Sequence, residues 1–222
     1  MKLSVIIPIY NEAATCIELI NRVQAVSLEK EIIIVDYGSS DGTTELLSKI
    51  EGIILLTHSI NQGKGAAVQT AIEHISGDLV ILQDGDLEYD PEDYQKLIKP
   101  ITAGEADVVF GSRWLNNANK CSFHYVGNKL ITLFSNIINQ HWINDVASCY
   151  KAIPVKIFKE LKLKSEGFGL EAEITAKVFR KGYSVKEIQI FYERRTSAEG
   201  KKLRLKDGLV SAGACLRYRF FD

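Results

Sequence analysis

The chain contains no apolar run approaching the roughly 20 residues needed to span a bilayer. No signal peptide precedes the first strand pattern, which begins directly after Met1-Lys2. The expectation is therefore a soluble, cytoplasmic protein, peripheral at most to the inner face of the membrane. The four cysteines (Cys16, Cys121, Cys149 and Cys215) include no CxxC pair, so neither a zinc site nor a disulfide framework is indicated. With 27 basic and 28 acidic residues, the net charge of −1 lacks the electrostatic footprint of a nucleic-acid binder. There is no internal repeat and no low-complexity linker, which argues against cutting the chain into independent domains.

What remains is ordinary in bulk and distinctive in pattern. The 222 residues, 46% hydrophobic and 25% charged, are ample to bury a core. Short, nearly continuous apolar runs at Leu3–Ile9, Glu31–Val35, Ile53–Thr57, Leu79–Leu82 and Asp107–Phe110 read as strands buried on both faces of a parallel sheet. Helical patterns at about 12–26, 42–50, 64–75 and 91–102 lie between them. This alternation predicts an α/β fold with its ligand crevice at the carboxyl ends of the strands. Beyond Arg113 the pattern changes to a polar loop at 114–123, helices at 125–140, 154–162 and 168–181, a strand at Ser184–Tyr192, a basic stretch at Ser197–Lys206 and an apolar segment at Asp207–Phe221.

The strand at Leu79–Leu82 stops at Asp84-Gly85-Asp86, with Glu88 two positions on. Carboxylates this close repel one another, and a hard divalent cation that keeps sites open for water and phosphates is the usual remedy. The plain alternative is a solvated acidic turn, since Asp90-Pro91 makes a good helix start. Lys64, flanked by Gly63 and Gly65 at a helix start, is placed to contact phosphates, although no GxxxxGK[ST] pattern is present. Its plain alternative is a tight turn with a solvated lysine.

Six segments together resemble family 2 glycosyltransferases of the GT-A fold, most closely the dolichol-phosphate mannosyltransferase-like branch. They are Val5–Glu12, Ile34–Thr43, Asn61–Ala67, Gln83–Pro91, Gly111-Ser112-Arg113 and Arg195–Lys202, and they span almost the whole chain. The resemblance implies a GT-A, Rossmann-like, mostly parallel sheet flanked by helices in one domain. Residues 1–113 would form the nucleotide-sugar and metal half, and 114–222 the acceptor half. It further implies inverting transfer of a hexose from a nucleoside diphosphate sugar, GDP-mannose first, to a polyprenyl phosphate. The implied cofactor is Mg²⁺ or Mn²⁺ on Asp84, Asp86 and Glu88, stabilising the charge that develops on the leaving diphosphate. Pro8, Tyr10, Glu12, Asp36, Lys64, Asp84, Gly85 and Asp86 would line the nucleotide-sugar site. Gly85 would leave room for the diphosphate. Ser112, Arg113, Arg195 and Lys201 would hold the acceptor phosphate, where a guanidinium fork suits bidentate recognition.

Catalytic roles would fall to Asp86, Arg113 and Asp145, the last as a base or acceptor-positioning acid; a helix cap or buried ion-pair partner is the alternative for Asp145. Glu171 is expected to partner basic loop residues. Tyr37 stands where the family usually carries a second acid after Asp36, which removes an acceptor and leaves the donor base open. UDP-glucose, or a non-lipid acceptor in cell-surface polysaccharide assembly, is the alternative. A nucleotidyltransferase is disfavoured because no glycine-rich loop follows the first strand, and a non-catalytic nucleotide-sugar-binding module because the acid pair is intact. The segment 207–221 is either an interfacial helix or one packed on the domain.

Overall fold

Isoleucine, valine and leucine dominate the central strands, and β-branched side chains suit a sheet covered on both faces. The computed structural model describes residues 1–115, 123–195 and 205–221. Its strands are β1 (Leu3–Ile9), β2 (Lys30–Asp36), β3 (Ile54–Thr57), β4 (Leu79–Leu82), β5 (Val108–Ser112), β6 (Lys151–Pro154) and β7 (Val185–Gln189). Its helices are α1 (Cys16–Ala25), α2 (Thr43–Leu47), α3 (Lys64–Ile72), α4 (Tyr94–Thr102), α5 (Phe123–Asn139), α6 (Val155–Glu160), α7 (Leu170–Arg180) and α8 (Leu205–Phe220). They build one α/β domain on a mostly parallel sheet ordered β3-β2-β1-β4-β6-β5-β7. Every β1 residue is buried, and Val5, Ile6, Ile7, Ile33, Ile34, Val80 and Ile81 form the heart of the core.

The expected alternation along the chain holds through β5, but the order of strands in the sheet departs from it after β4. Strand β5 does not pair with β4; β6 lies between them, antiparallel to both. Its short Lys151-Ala152-Ile153-Pro154 sequence begins with a charge and ends in proline, so it carries little strand signal of its own. Helix α1 starts four residues later than expected because Glu12 is occupied in a turn. Its amide donates to Thr43 Oγ1 (2.9 Å), and its carbonyl accepts from the amides of Thr15 (3.0 Å) and Cys16 (2.9 Å). At 91–102 a 3₁₀ turn, Pro91–Asp93, precedes α4, with Asp90 capping the Glu92 amide at 3.1 Å. Cys16, Cys149 and Cys215 are buried free thiols.

The terminal segment is helical and packs on α7 through Ala172, Ala176, Ala214, Cys215 and Tyr218. Other residues of α8 and its end, including Leu209, Val210, Phe220 and Phe221, are exposed. Among the described residues no helix is long and apolar enough to cross a membrane.

Candidate active site

The carboxyl ends of β1, β2 and β4 open onto a cavity of about 790 Å³. Pro8, Tyr10, Glu12, Tyr37, Lys64, Asp84, Gly85, Asp86, Glu88, Arg113 and Arg195 all line it. Most of the residues singled out in the sequence therefore converge on one space, although they come from opposite ends of the chain.

The acids are held by cations. Lys64 Nζ donates to Asp84 (2.6 Å) and to Glu171 on α7 (2.5 Å). Arg195 donates from Nη1 and Nη2 to Glu12 (2.9 and 3.1 Å) and from Nη2 to Asp86 (2.9 Å). Burial alone would raise the Asp84 pKa, but Lys64, with help from Cys149 and Arg113, holds the carboxyl below its ordinary value. Asp86 is pushed up to about 7, first by burial and then by the charges of Asp84 and Glu88, which Arg195 only partly offsets.

The three-carboxylate metal set expected from the sequence is not assembled. Among the described residues no three His, Cys, Asp or Glu side chains form a cation cage, and Glu88 Oε1 accepts from the Arg195 amide at 2.9 Å. Asp84 and Asp86 nevertheless present two hard oxygen donors to an open cavity. The excess negative charge that lifts Asp86 is what a divalent ion would relieve. Two carboxylates suit an ion that completes its shell with water and a diphosphate, so these residues fit a cation of that kind.

Arg113 and Asp145 form a buried pair. The guanidinium donates to Asp145 from Nε (2.7 Å) and Nη2 (2.8 Å), the Arg113 amide adds a bond at 3.1 Å, and Asn128 adds another at 3.0 Å. Arg113 also lies over the rings of Trp114 (5.4 Å) and Tyr192 (5.0 Å). Burial would raise the Asp145 pKa, but Arg113 keeps it below the ordinary carboxylate value.

Several expectations change against this geometry. Asp145 is 0% exposed and lies behind Arg113, which is the place of an ion-pair partner and not of a base reaching the acceptor. Ser112 is likewise 0% exposed, its hydroxyl accepting from the Trp114 amide at 3.4 Å, which keeps it from an acceptor phosphate. Asp36 turns inward: one carboxylate oxygen accepts from the Ser39 amide (2.9 Å), the other from the Thr44 hydroxyl, and the residue is 1% exposed. It closes its own turn and leaves the aromatic wall to Tyr37, which stacks on Tyr10 at 5.3 Å.

Gly85 is needed for Ile9, because a Cβ there would stand 2.8 Å from that side chain. Gly63 and Gly65 do not cradle a phosphate: a Cβ on either would strike the carbonyls of Glu166 or Ser165, and the Ala66 amide already donates to Glu166 (3.1 Å). Lys64 is buried and paired where a solvated turn was the alternative. Glu171 accepts from Lys64, and the basic residues 197–204 expected to partner it lie outside the described residues. Lys201 lies outside the described residues.

Sequence reasoning missed the far wall. Trp114, Asn128, Leu130, Ile131, Phe134 and Leu209, from the end of β5 and from α5 and α8, complete the cavity. A signal existed in α5. Its exposed residues are Val126, Leu130, Leu133 and Ile137, whereas Thr132, Ser135, Asn136 and Asn139 are buried. The helix is amphipathic with the usual faces exchanged. Leu130 and Leu209 belong both to the cavity wall and to the exposed surface, so the apolar lining runs out to solvent.

Comparison with known proteins agrees with this picture. The model of the family described as Glycosyl transferase family 2 matches residues 4–162. The glycosyltransferase AglJ of Haloferax volcanii is 29% identical over 208 residues, covering 92% of this chain and 67% of that protein. An undecaprenyl-phosphate 4-deoxy-4-formamido-L-arabinose transferase of Salmonella dublin is 38% identical over 141 residues, covering 60% of this chain. The matched region spans 42% of that transferase, less than half its length. Among solved structures, glucosyl-3-phosphoglycerate synthase of Mycobacterium tuberculosis, in complex with Mn²⁺, UDP and glucosyl-3-phosphoglycerate, superposes with a TM-score of 0.73 at 21% identity. That match covers 98% of this chain and 79% of the synthase, and at such identity the likeness is one of fold.

Proposed function

Because the chain belongs to glycosyl transferase family 2, we propose that it transfers a hexose, with inversion, from a nucleoside diphosphate sugar to a polyprenyl phosphate. The observation that carries this reading is the two-sided cavity. Acids and a tyrosine pair form one wall, and an apolar wall leads from them to the surface. A sugar nucleotide suits the first and a lipid-borne acceptor the second. GDP-mannose is the proposed donor. Tyr37 in place of an acid keeps UDP-glucose as the second reading, because burial raises its phenol pKa and keeps it neutral.

Asp84 and Asp86 would hold the divalent cation, which supplies Lewis-acid stabilisation of the leaving diphosphate when bound. Lys64 faces the same space and adds positive charge for the phosphates. Tyr10 and Tyr37 offer a flat wall to a nucleobase. Arg113 is pinned by Asp145, which Asn128 holds in turn, so its guanidinium meets the acceptor phosphate already oriented. A phosphomonoester, with a second pKa of about 6, is largely ionised at neutral pH and needs little help from a base. That removes the need for Asp145 to act as one. The exposed apolar residues of α5 and α8 would meet the membrane that holds such a lipid, with Arg217 and Arg219 near anionic headgroups.

Calorimetric titration with GDP-mannose and UDP-glucose, each with Mn²⁺ or EDTA, tests the donor side. Metal-dependent binding of one donor, lost in Asp84→Ala, is the expected result. Binding of neither would remove the donor assignment. Tyr37→Asp should change the affinity for the nucleotide, and an unchanged isotherm would dismiss its part in base choice. Transfer of labelled hexose to polyprenyl phosphate in vesicles, but not to a short soluble phosphate, would support the lipid acceptor.

A further inference from the structure

Each acid of the Asp84–Asp86 pair is matched with a basic residue that holds a second carboxylate as well. One chain of charge runs Asp84–Lys64–Glu171 and the other Asp86–Arg195–Glu12. The second is the more exchangeable. Glu12 grips Arg195 with both oxygens, at 2.9 and 3.1 Å, while Asp86 takes a single bond from Nη2 at 2.9 Å. The segment that carries Arg195 lies across the acids through its own backbone, with the Glu193 amide on the Glu88 carbonyl and the Arg195 amide on the Glu88 carboxylate, both at 2.9 Å. The third nitrogen of the fork, Nε, is buried and has no hydrogen-bond partner. A buried donor left without an acceptor is costly. The guanidinium is thus held in place by charge with its hydrogen-bonding capacity incomplete.

We infer that Arg195 is an exchangeable counter-ion. In the donor-free protein it neutralises Asp86; when a divalent cation takes that carboxylate, Arg195 keeps its grip on Glu12 and turns Nη2 and Nε to phosphate oxygens. This rests on the reading of Asp84 and Asp86 as a cation site. The argument is one of competition. A divalent ion and a guanidinium repel each other, and both seek Asp86. The ion carries twice the charge, and the carboxylate of Glu12 stands ready to retain the loser. Arg195 then moves from one anion to another inside the same cavity and never has to enter bulk water. Its free donors match the planar fork that phosphate recognition uses. Glu12, on this account, is a positioning residue that keeps Arg195 within reach. Lys64 is arranged in parallel, with Glu171 in the place of Glu12.

The exchange makes a prediction that a plain acceptor clamp does not. Removing Arg195 removes the competitor, so the cation should bind more tightly to the donor-free protein while the acceptor is held less well. Free Mn²⁺ followed by electron paramagnetic resonance, with protein alone and no nucleotide, reads the first effect directly. Arg195→Gln should tighten Mn²⁺ binding by about tenfold and raise the KM for a polyprenyl phosphate. Arg195→Met, uncharged and of similar length, should repeat the result if the glutamine variant fails to fold. Unchanged or weaker Mn²⁺ binding in a folded variant overturns the exchange. Asp86→Asn separates this from failure of the underlying reading: if it binds Mn²⁺ as tightly as the unaltered protein, the acids are not the cation site.

Discussion

Helices α1 and α5 both lie against the sheet domain, yet they are built on opposite patterns. Helix α1 turns Cys16, Leu19, Ile20 and Val23 inward and leaves Glu18, Arg22 and Gln24 outside. Helix α5 turns Thr132, Ser135, Asn136 and Asn139 inward and leaves Val126, Leu130, Leu133 and Ile137 outside. Two of the buried polar side chains of α5 hold the loop that follows the helix. Asn136 donates to the Ile143 carbonyl (2.9 Å) and accepts from the Ile143 amide (3.2 Å), while Thr132 accepts from the Val146 amide (3.2 Å). They grip both sides of the loop that carries Asp145. One helix holds the fold by apolar burial. The other holds the loop that carries Asp145 by hydrogen bonds and leaves its apolar face exposed.

Matched substitutions should break the comparison most visibly. Ile20→Asp places an unpaired charge in the core, and loss of the cooperative folded state in urea or heat is the expected outcome. Leu130→Asp, which puts the same charge on the outward face of α5, should shift stability by no more than about 0.5 kcal/mol. It should also reduce sedimentation with anionic vesicles. If both variants unfold alike, the two helices are not different in kind.

Next in size is the buried pair that α5 supports. Asp145→Ala leaves Arg113 charged and without its bidentate partner, at a cost of about 3–5 kcal/mol by denaturant titration. Asn136→Leu would be harmless on an ordinary inward face. Here it deprives both polar groups of Ile143 of their partner, so a loss of about 1–3 kcal/mol is expected, together with a raised acceptor KM.

Lys151 is fully buried, with its ammonium donating to the carbonyls of Val146 (3.2 Å) and Ser148. Burial lowers its pKa from 10.5 to about 8, more than the neighbouring acids raise it. Between those values the unfolded chain holds a proton that the folded one has released, so this group adds stability as pH rises through that window. Lys151→Met should flatten that part of a stability–pH profile, and a profile of unchanged slope would refute the assignment.

The donor side was legible because its signals are local. Apolar runs announced β1 to β4, and Asp84-Gly85-Asp86 stood where a strand had to end. Strand β6 was invisible because its place depends on pairing with β4 and β5, not on a pattern within its own four residues. The fate of Asp36 was hidden for a related reason: a carboxylate beside a glycine turn looks the same whether it faces a ligand or caps Ser39 and Thr44. The inward polar residues of α5 make sense only once the 143–146 loop is seen against them. Sequence pattern reports which elements form, whereas the partner each side chain takes needs the assembled fold.

The insertion of β6 also has a bearing on time. During synthesis each of the first four strands emerges with at least one neighbour already made or about to follow. Strand β5 emerges with neither. One edge waits for residues 151–154 and the other for 185–189, so Arg113 at its end acquires its setting last. Pairings that span such distances along the chain are slow to form. The first 113 residues would leave the ribosome as a partial sheet with an exposed edge, the kind of intermediate on which chaperones act.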